Sequence, residues 1–177
     1  MAESDSPLAL SLDRIAAEAN PVGSEERRAM AVARGICRLF ARNDTWCLAE
    51  MPLRCGRRAD LMGIDAKGRI IIVEIKVSRA DLLGDGKWPD YLDYCDRYYW
   101  GLPPELDRGP LDTPSFLPER CGVIVADGYD AEILRPAALV PLAAARRKVE
   151  TERLARASLR RLVTGADPHT VQWGVEG

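Results

Sequence analysis

Two acids and a lysine carry the clearest chemical signal in the sequence. Asp60 is followed by Glu74 and Lys76, and that last pair closes the apolar run Ile70-Ile71-Ile72-Val73. Side chains alternate along a strand, so Glu74 and Lys76 share a face with Ile70 and Ile72, while Val73, Ile75 and Val77 take the other. Charges in so apolar a strand are costly unless paired or bound to an ion. Gly68 suits the left-handed position that closes a three-residue loop, Ala66-Lys67-Gly68. In that register Asp65 faces Arg69, Met62 faces Ile72, Asp60 faces Glu74 and Arg58 faces Lys76, with opposed Cβ atoms about 4.5–5.5 Å apart. A two-residue turn would instead set Asp60 against Val73. Two facing carboxylates beside two facing cations are unfavourable alone. A divalent cation between the acids and a phosphate beside the bases would relieve both. The bland alternative is a surface network pairing Asp60 with Arg58 and Glu74 with Lys76.

The elements around these residues follow from pattern and punctuation. A weak helix over residues 8–19 is broken by Asn20-Pro21-Val22-Gly23. Ser24 is placed to cap a stronger helix to Arg42, with Glu25 and Glu26 at its positive end. Its apolar stripe is Ala29, Ala33, Ile36, Cys37 and Phe40, and Arg27, Arg34, Arg38 and Arg42 follow another face. Three extended segments come next, over residues 46–54, 58–65 and 69–77. Ser78 opens a short helical turn over residues 79–83, and Pro89 sits at the first position of another helix. Residues 97–101 form a short aromatic strand, and Tyr94, Tyr98, Tyr99 and Trp100 are better read as core than as base-stacking groups. Residues 102–120 hold five Pro and read as a long surface loop. Residues 122–126 form a buried strand, Asp127-Gly128 a hairpin turn into residues 129–134, and residues 139–163 a long basic helix ending at Gly165. Helix, three strands, helix, strand and hairpin predict an α/β fold with a mixed sheet flanked by helices.

Composition narrows the function classes. The 177 residues carry 25 Lys and Arg against 27 Asp and Glu, which excludes a generic polycation. Charge is uneven: eight Arg lie over residues 27–58 and six over residues 146–161, with nine acids over residues 81–119. Both basic stretches read either as solvated helix faces or as an anion-binding side. Five Cys without a CxxC pair argue against a disulfide framework or a zinc site and for a reducing cytoplasm. The single His169 makes His-based sites improbable, and no apolar run is long enough to span a membrane. The first residues have neither the basic nor the apolar region of a signal peptide.

The order of elements and the Asp60…Glu74-x-Lys76 spacing resemble the PD-(D/E)xK nucleases of the restriction-endonuclease-like fold, over about residues 24–126. Ala59 stands where that family usually has Pro. A narrower resemblance covers most of the chain. Gly56-Arg57-Arg58-Ala59-Asp60-Leu61, Val73-Glu74-Ile75-Lys76, Lys87-Trp88-Pro89-Asp90-Tyr91, Cys95-Asp96-Arg97-Tyr98-Tyr99 and Val125-Ala126-Asp127 are similar to the bacterial MmcB-type DNA repair proteins. The resemblance implies a DNA-repair endonuclease in which Asp60, Glu74 and the carbonyl of Ile75 hold Mg²⁺ or Mn²⁺ and Lys76 serves the attacking water. Glu26 or Glu25, otherwise stabilising the helix N-terminus, or Glu50, otherwise pairing with a nearby Arg, would supply an additional acid. Arg58, Lys87, Tyr91, Arg34, Arg38 and Arg42 are candidate phosphate or DNA contacts. Length alone suggests one domain over residues 1–177, with an extension (1–23), the nuclease-like core of the resemblance (24–126), a hairpin strand and basic helix (127–165) and a tail (166–177). The alternatives are a non-catalytic DNA- or partner-binding module with the same fold, and a metal-dependent hydrolase of small phosphates.

Overall fold

Six strands form one mixed sheet whose order in space is their order in the chain. The computed structural model describes residues 23–167 and 169, so the expected first helix and the tail beyond residue 169 lie outside the described residues. Strands β1 (Thr45–Pro52), β2 (Arg58–Asp65) and β3 (Ile70–Ile75) make an antiparallel meander. Strands β4 (Arg97–Leu102) and β5 (Cys121–Ala126) run parallel to β3, and β6 (Ala131–Arg135) returns antiparallel. Helix α1 (Ser24–Arg42) covers one face, setting Val32, Ile36 and Phe40 against Leu61, Ile71, Val73, Tyr99 and Ile124. The other face carries helix α3 (Ala144–Ala166) and a 3₁₀ segment, Trp88–Tyr94, over Met62, Ile70, Ile72, Tyr98 and Trp100. Short helix α2 (Arg79–Gly84) follows β3. Layers on both faces explain why all of β3 is buried and reads as a continuous apolar run. This is the α/β arrangement that the element order implies.

The β2–β3 turn sets the register. Gly68 has φ +73°, and Asp65 N–H donates to the Arg69 carbonyl at 3.1 Å. Pairs Ile64–Ile70, Gly63–Ile71, Met62–Ile72 and Leu61–Val73 follow, the register of the three-residue loop. A second glycine matters in α1. A Cβ on Gly35 would run into the carbonyl oxygens of Asp127 and Asp130, so the helix can rest on the β5–β6 turn only without one.

Several elements differ from expectation. Gly23, not Ser24, is the N-cap of α1 and no side chain caps it; Arg27 N–H donates to the Gly23 carbonyl at 3.0 Å. Residues 88–94 wind as a 3₁₀ rather than an α-helix, since a short segment rich in aromatic and Asp residues has little α propensity. The β5–β6 turn is wider than Asp127-Gly128: the Asp127 side chain accepts from Tyr129 N–H at 2.7 Å and Asp130 N–H at 2.9 Å. Helix α3 starts at Ala144, not near Leu139. The residues before it are extended because Pro141 intervenes and Asp96 takes two of their N–H groups: Val140 donates to its carbonyl at 3.0 Å and Leu142 to its side chain at 2.8 Å. The proline-rich stretch also does more than cover the surface. It carries two 3₁₀ turns and inserts Leu111 and Phe116 into the core.

Candidate active site

Asp60 and Glu74 lie one step past the last β2–β3 pair, Leu61–Val73. The strands part there because the Asp60 carboxylate captures the next ladder donor: Oδ2 accepts from Ile75 N–H at 2.6 Å. The following amide, Lys76 N–H, turns to the Gly101 carbonyl of β4 at 2.9 Å. Strand β1 is interrupted at the same level. Glu50, which would oppose Asp60, has φ 53° and drops out between Ala49–Leu61 and Met51–Ala59. A left-handed non-glycine residue costs roughly 1–3 kcal/mol, and such strain concentrates at functional sites.

Lys76 is the buried hub of an acidic cluster. Its side chain is only 7% exposed, and Nζ lies 2.9 Å from Asp85, 3.4 Å from Glu74 and 3.4 Å from Asp81. Helix α2 brings Asp81 in: Ser78 caps the helix and accepts from Asp81 N–H at 3.3 Å. Burial alone would lower the Lys76 pKa, but Asp85, Glu74 and Asp81 together raise it above the ordinary lysine value. Glu74 is pushed up to about 8, first by burial and then by the charges of Asp60 and Asp85, with Lys76 opposing. Asp60 is also raised by burial, with Glu50 and Asp81 adding to the shift and the Ile75 N–H and Lys76 working against it. One Glu74 oxygen, Oε2, is buried without a hydrogen-bond partner. On the same face, the Tyr98 hydroxyl and the Trp100 Nε1 are likewise buried and unpartnered. An open groove of about 780 Å³ adjoins the cluster, running from Asp85 past Trp88 and Pro89 to Pro110 and Phe116.

The other sequence candidates distribute as follows. Arg58 does not face Lys76: β3 ends at Ile75, and Arg58 Nε pairs with Glu50 at 2.5 Å on the exposed edge. Glu50 therefore stands beside the cluster and acts on Asp60. Glu25 and Glu26 are exposed in the first turn of α1, on the layer opposite Glu74, and the structure does not bring them to the site. Tyr91 is buried at the site, its hydroxyl donating to the Arg58 carbonyl at 3.1 Å. Burial, Glu74 and Asp60 raise its pKa. Lys87 is exposed at the start of the 3₁₀ segment next to Asp85. On α1, Arg38 donates to the carbonyls of Gly128 and Tyr129, Arg42 pairs with Asp130, and Arg34 is exposed. Tyr94, Tyr98, Tyr99 and Trp100 are core. Asp81 and Asp85 are the residues that sequence reasoning missed. The available signals were the acid three residues after the Ser78 cap and an acid flanked by glycines just beyond α2.

Among the described residues, no three His, Cys, Asp or Glu side chains are grouped so as to hold a metal. Two carboxylates, one of them with an orphaned buried oxygen, and a backbone carbonyl are a fitting donor set for Mg²⁺ or Mn²⁺. Such ions are commonly held by one or two protein carboxylates and keep several waters. Also among the described residues, no helix is long and apolar enough to cross a membrane.

The molecule is a mixed sheet clad by helices, with Glu74 and Lys76 buried and Asp60 half-buried where its strands part. The chain belongs to the family described as DNA repair protein MmcB-like, whose model matches residues 16–169. It is also similar to a solved structure described as the SPO1766 protein of unknown function from Silicibacter pomeroyi. The two are 39% identical, with a TM-score of 0.70 over 83% of this chain and 94% of that one. No curated protein matches the chain. Family membership supports a role in DNA repair.

Proposed function

We propose that the protein is a metal-dependent DNA nuclease of the PD-(D/E)xK superfamily, acting in repair by phosphodiester hydrolysis. The observation that carries this reading is the unpartnered, buried Glu74 Oε2 beside Asp60 and Lys76. A buried acid left half-satisfied and crowded by a second acid is unfavourable in a merely structural cluster. It is what a cation site requires. Asp60, Glu74 and the Ile75 carbonyl would hold Mg²⁺ or Mn²⁺, and the bound ion supplies a water of lowered pKa and a polarised phosphate oxygen. Ile75 N–H fixes the Asp60 carboxylate. Asp85 and Asp81 keep Lys76 charged and aimed. The ammonium is then placed to orient the attacking water or offset charge that develops on the phosphate. The Tyr91 bond to the Arg58 carbonyl holds the end of β2 against the 3₁₀ segment.

The second reading is a non-catalytic DNA- or partner-binding module. The near-complete burial of Lys76 within three ion pairs favours it. Purified protein with Mn²⁺ or Mg²⁺, set against labelled single-stranded, duplex, flap and branched DNA, separates the two. The nuclease reading expects cleavage of at least one substrate, lost in Lys76→Ala and Glu74→Gln. DNA binding without cleavage by the wild type would leave the binding module.

A further inference from the structure

The two basic helices are not equivalent. On α1, Arg28 pairs with Glu105 at 2.7 Å, Arg38 caps the carbonyls of the β5–β6 turn, and Arg42 pairs with Asp130. The first half of α3 is similarly occupied. Arg146 lies over the Tyr94 ring at 5.2 Å, Arg147 pairs with buried Asp96, Lys148 lies 3.9 Å from Glu152, and Arg153 pairs with Glu150 at 2.7 Å. The second half differs. Arg156 and Arg160 are exposed and have no acidic partner among the described residues. Arg161 is fixed beside β1 by donating to the Glu50 carbonyl at 3.1 Å. These three arginines line a groove of about 780 Å³ with Pro52. Glu50 is the residue that leaves the ladder opposite Asp60, so Arg161 ties the groove to the strand interruption beside Asp60.

We propose that this groove is a phosphate ledge that holds the backbone of DNA and leads it across the β1–β2 end of the sheet. The inference rests on the nuclease reading for what lies at the end of the ledge. In a chain with 27 acidic residues, convergence of three arginines with no acid among them calls for an anion from outside. Guanidinium forks match phosphate oxygens, and one helical turn sets Arg156 and Arg160 about 6 Å apart along the axis. That is close to two phosphate steps of a B-form strand, about 3.4 Å each along the axis. The contacts would position DNA without reading sequence.

Binding of labelled duplex and single-stranded DNA, measured in EDTA from about 50 to 200 mM salt, tests the ledge. Arg156→Gln/Arg160→Gln is expected to weaken affinity about tenfold or more and to reduce the log–log salt slope by about 2, at roughly 0.9 per lost contact. Its melting temperature should stay at the wild-type value, because both residues are exposed. Lys67→Gln, exposed in the β2–β3 turn at the opposite end of that hairpin from Asp60, should bind as wild type. A double variant with wild-type affinity and slope overturns the ledge, whether or not the protein cuts DNA. Arginine-dependent binding by a wild type that never cleaves upholds the ledge and removes the nuclease reading.

Discussion

Glu74 is buried, crowded by Asp60 and half-satisfied, and its titration makes that tension measurable. Its carboxyl is pushed up to about 8 in the folded protein from an ordinary 4.5. A raised acid contributes stability that is complete below the unfolded value and is lost as pH rises through the folded one. Wild-type stability should therefore decline from about pH 5 to about pH 9. Glu74→Gln keeps the shape and removes the charge, so it should flatten that decline and be roughly 1–3 kcal/mol more stable than wild type at high pH. Urea melts across the pH series decide it; an unchanged slope would place the tension elsewhere. Part of this cluster was legible in the sequence. Alternation through Ile70-Ile71-Ile72-Val73 and the left-handed Gly68 are local facts, and they put Asp60 beside Glu74. Asp81 and Asp85 were marked only by the Ser78 cap and the flanking glycines, because they sit on a short helix and a turn where no periodicity assigns a direction. The Arg58–Lys76 pairing failed because the register was carried past the point where Asp60 itself ends the ladder by taking the Ile75 N–H.

Elements are joined here by a few contacts whose removal has graded costs. Asp96 is fully buried, accepts from Ile70 N–H at 2.7 Å and Leu142 N–H at 2.8 Å, and pairs with Arg147 of α3. It thus ties β3, the extended lead-in and α3 together. Asp96→Ala strands two amides and a guanidinium and should cost about 3–5 kcal/mol in denaturant unfolding. Its hydrogen bonds from Arg147, Leu142 and Ile70 outweigh burial and hold its pKa below the usual carboxylate value. Its stabilisation is therefore present above the unfolded value of 3.8 and is lost as pH falls through the lower folded one, an acid limb that the variant should lack. Gly35→Ala tests the contact of α1 with the β5–β6 turn. Alanine favours an isolated helix by about 1 kcal/mol, yet here its Cβ meets two backbone carbonyls, so a net loss of roughly 2 kcal/mol or more is expected. Wild-type melting would mean that the turn moves freely. Strand and helix types were readable from apolar periodicity. The start of α3 was not, because Asp96, far away in sequence, holds the preceding residues extended.

For the whole molecule, the candidate cation and the folding equilibrium are linked. An ion that binds only the folded chain stabilises it, by about 2.7 kcal/mol at a hundredfold excess over its dissociation constant. Mn²⁺ should raise the melting temperature of the wild type and leave that of Glu74→Gln unmoved. Equal shifts in both would mean that manganese binds elsewhere. The sequential order of the six strands has a different consequence, one of folding kinetics. Asp60, Glu74, Lys76, Asp81 and Asp85 all come from one hairpin and the short helix after it. Closing that hairpin costs little chain entropy compared with docking the parallel strands β4 and β5, which must wait for long crossovers. The carboxylates should therefore be brought face to face early, while the sheet is still incomplete, and their mutual repulsion should act on the folding barrier itself. Relieving that repulsion in Glu74→Gln should speed refolding as well as slow unfolding, and a chevron plot would show how the gain divides between the two limbs.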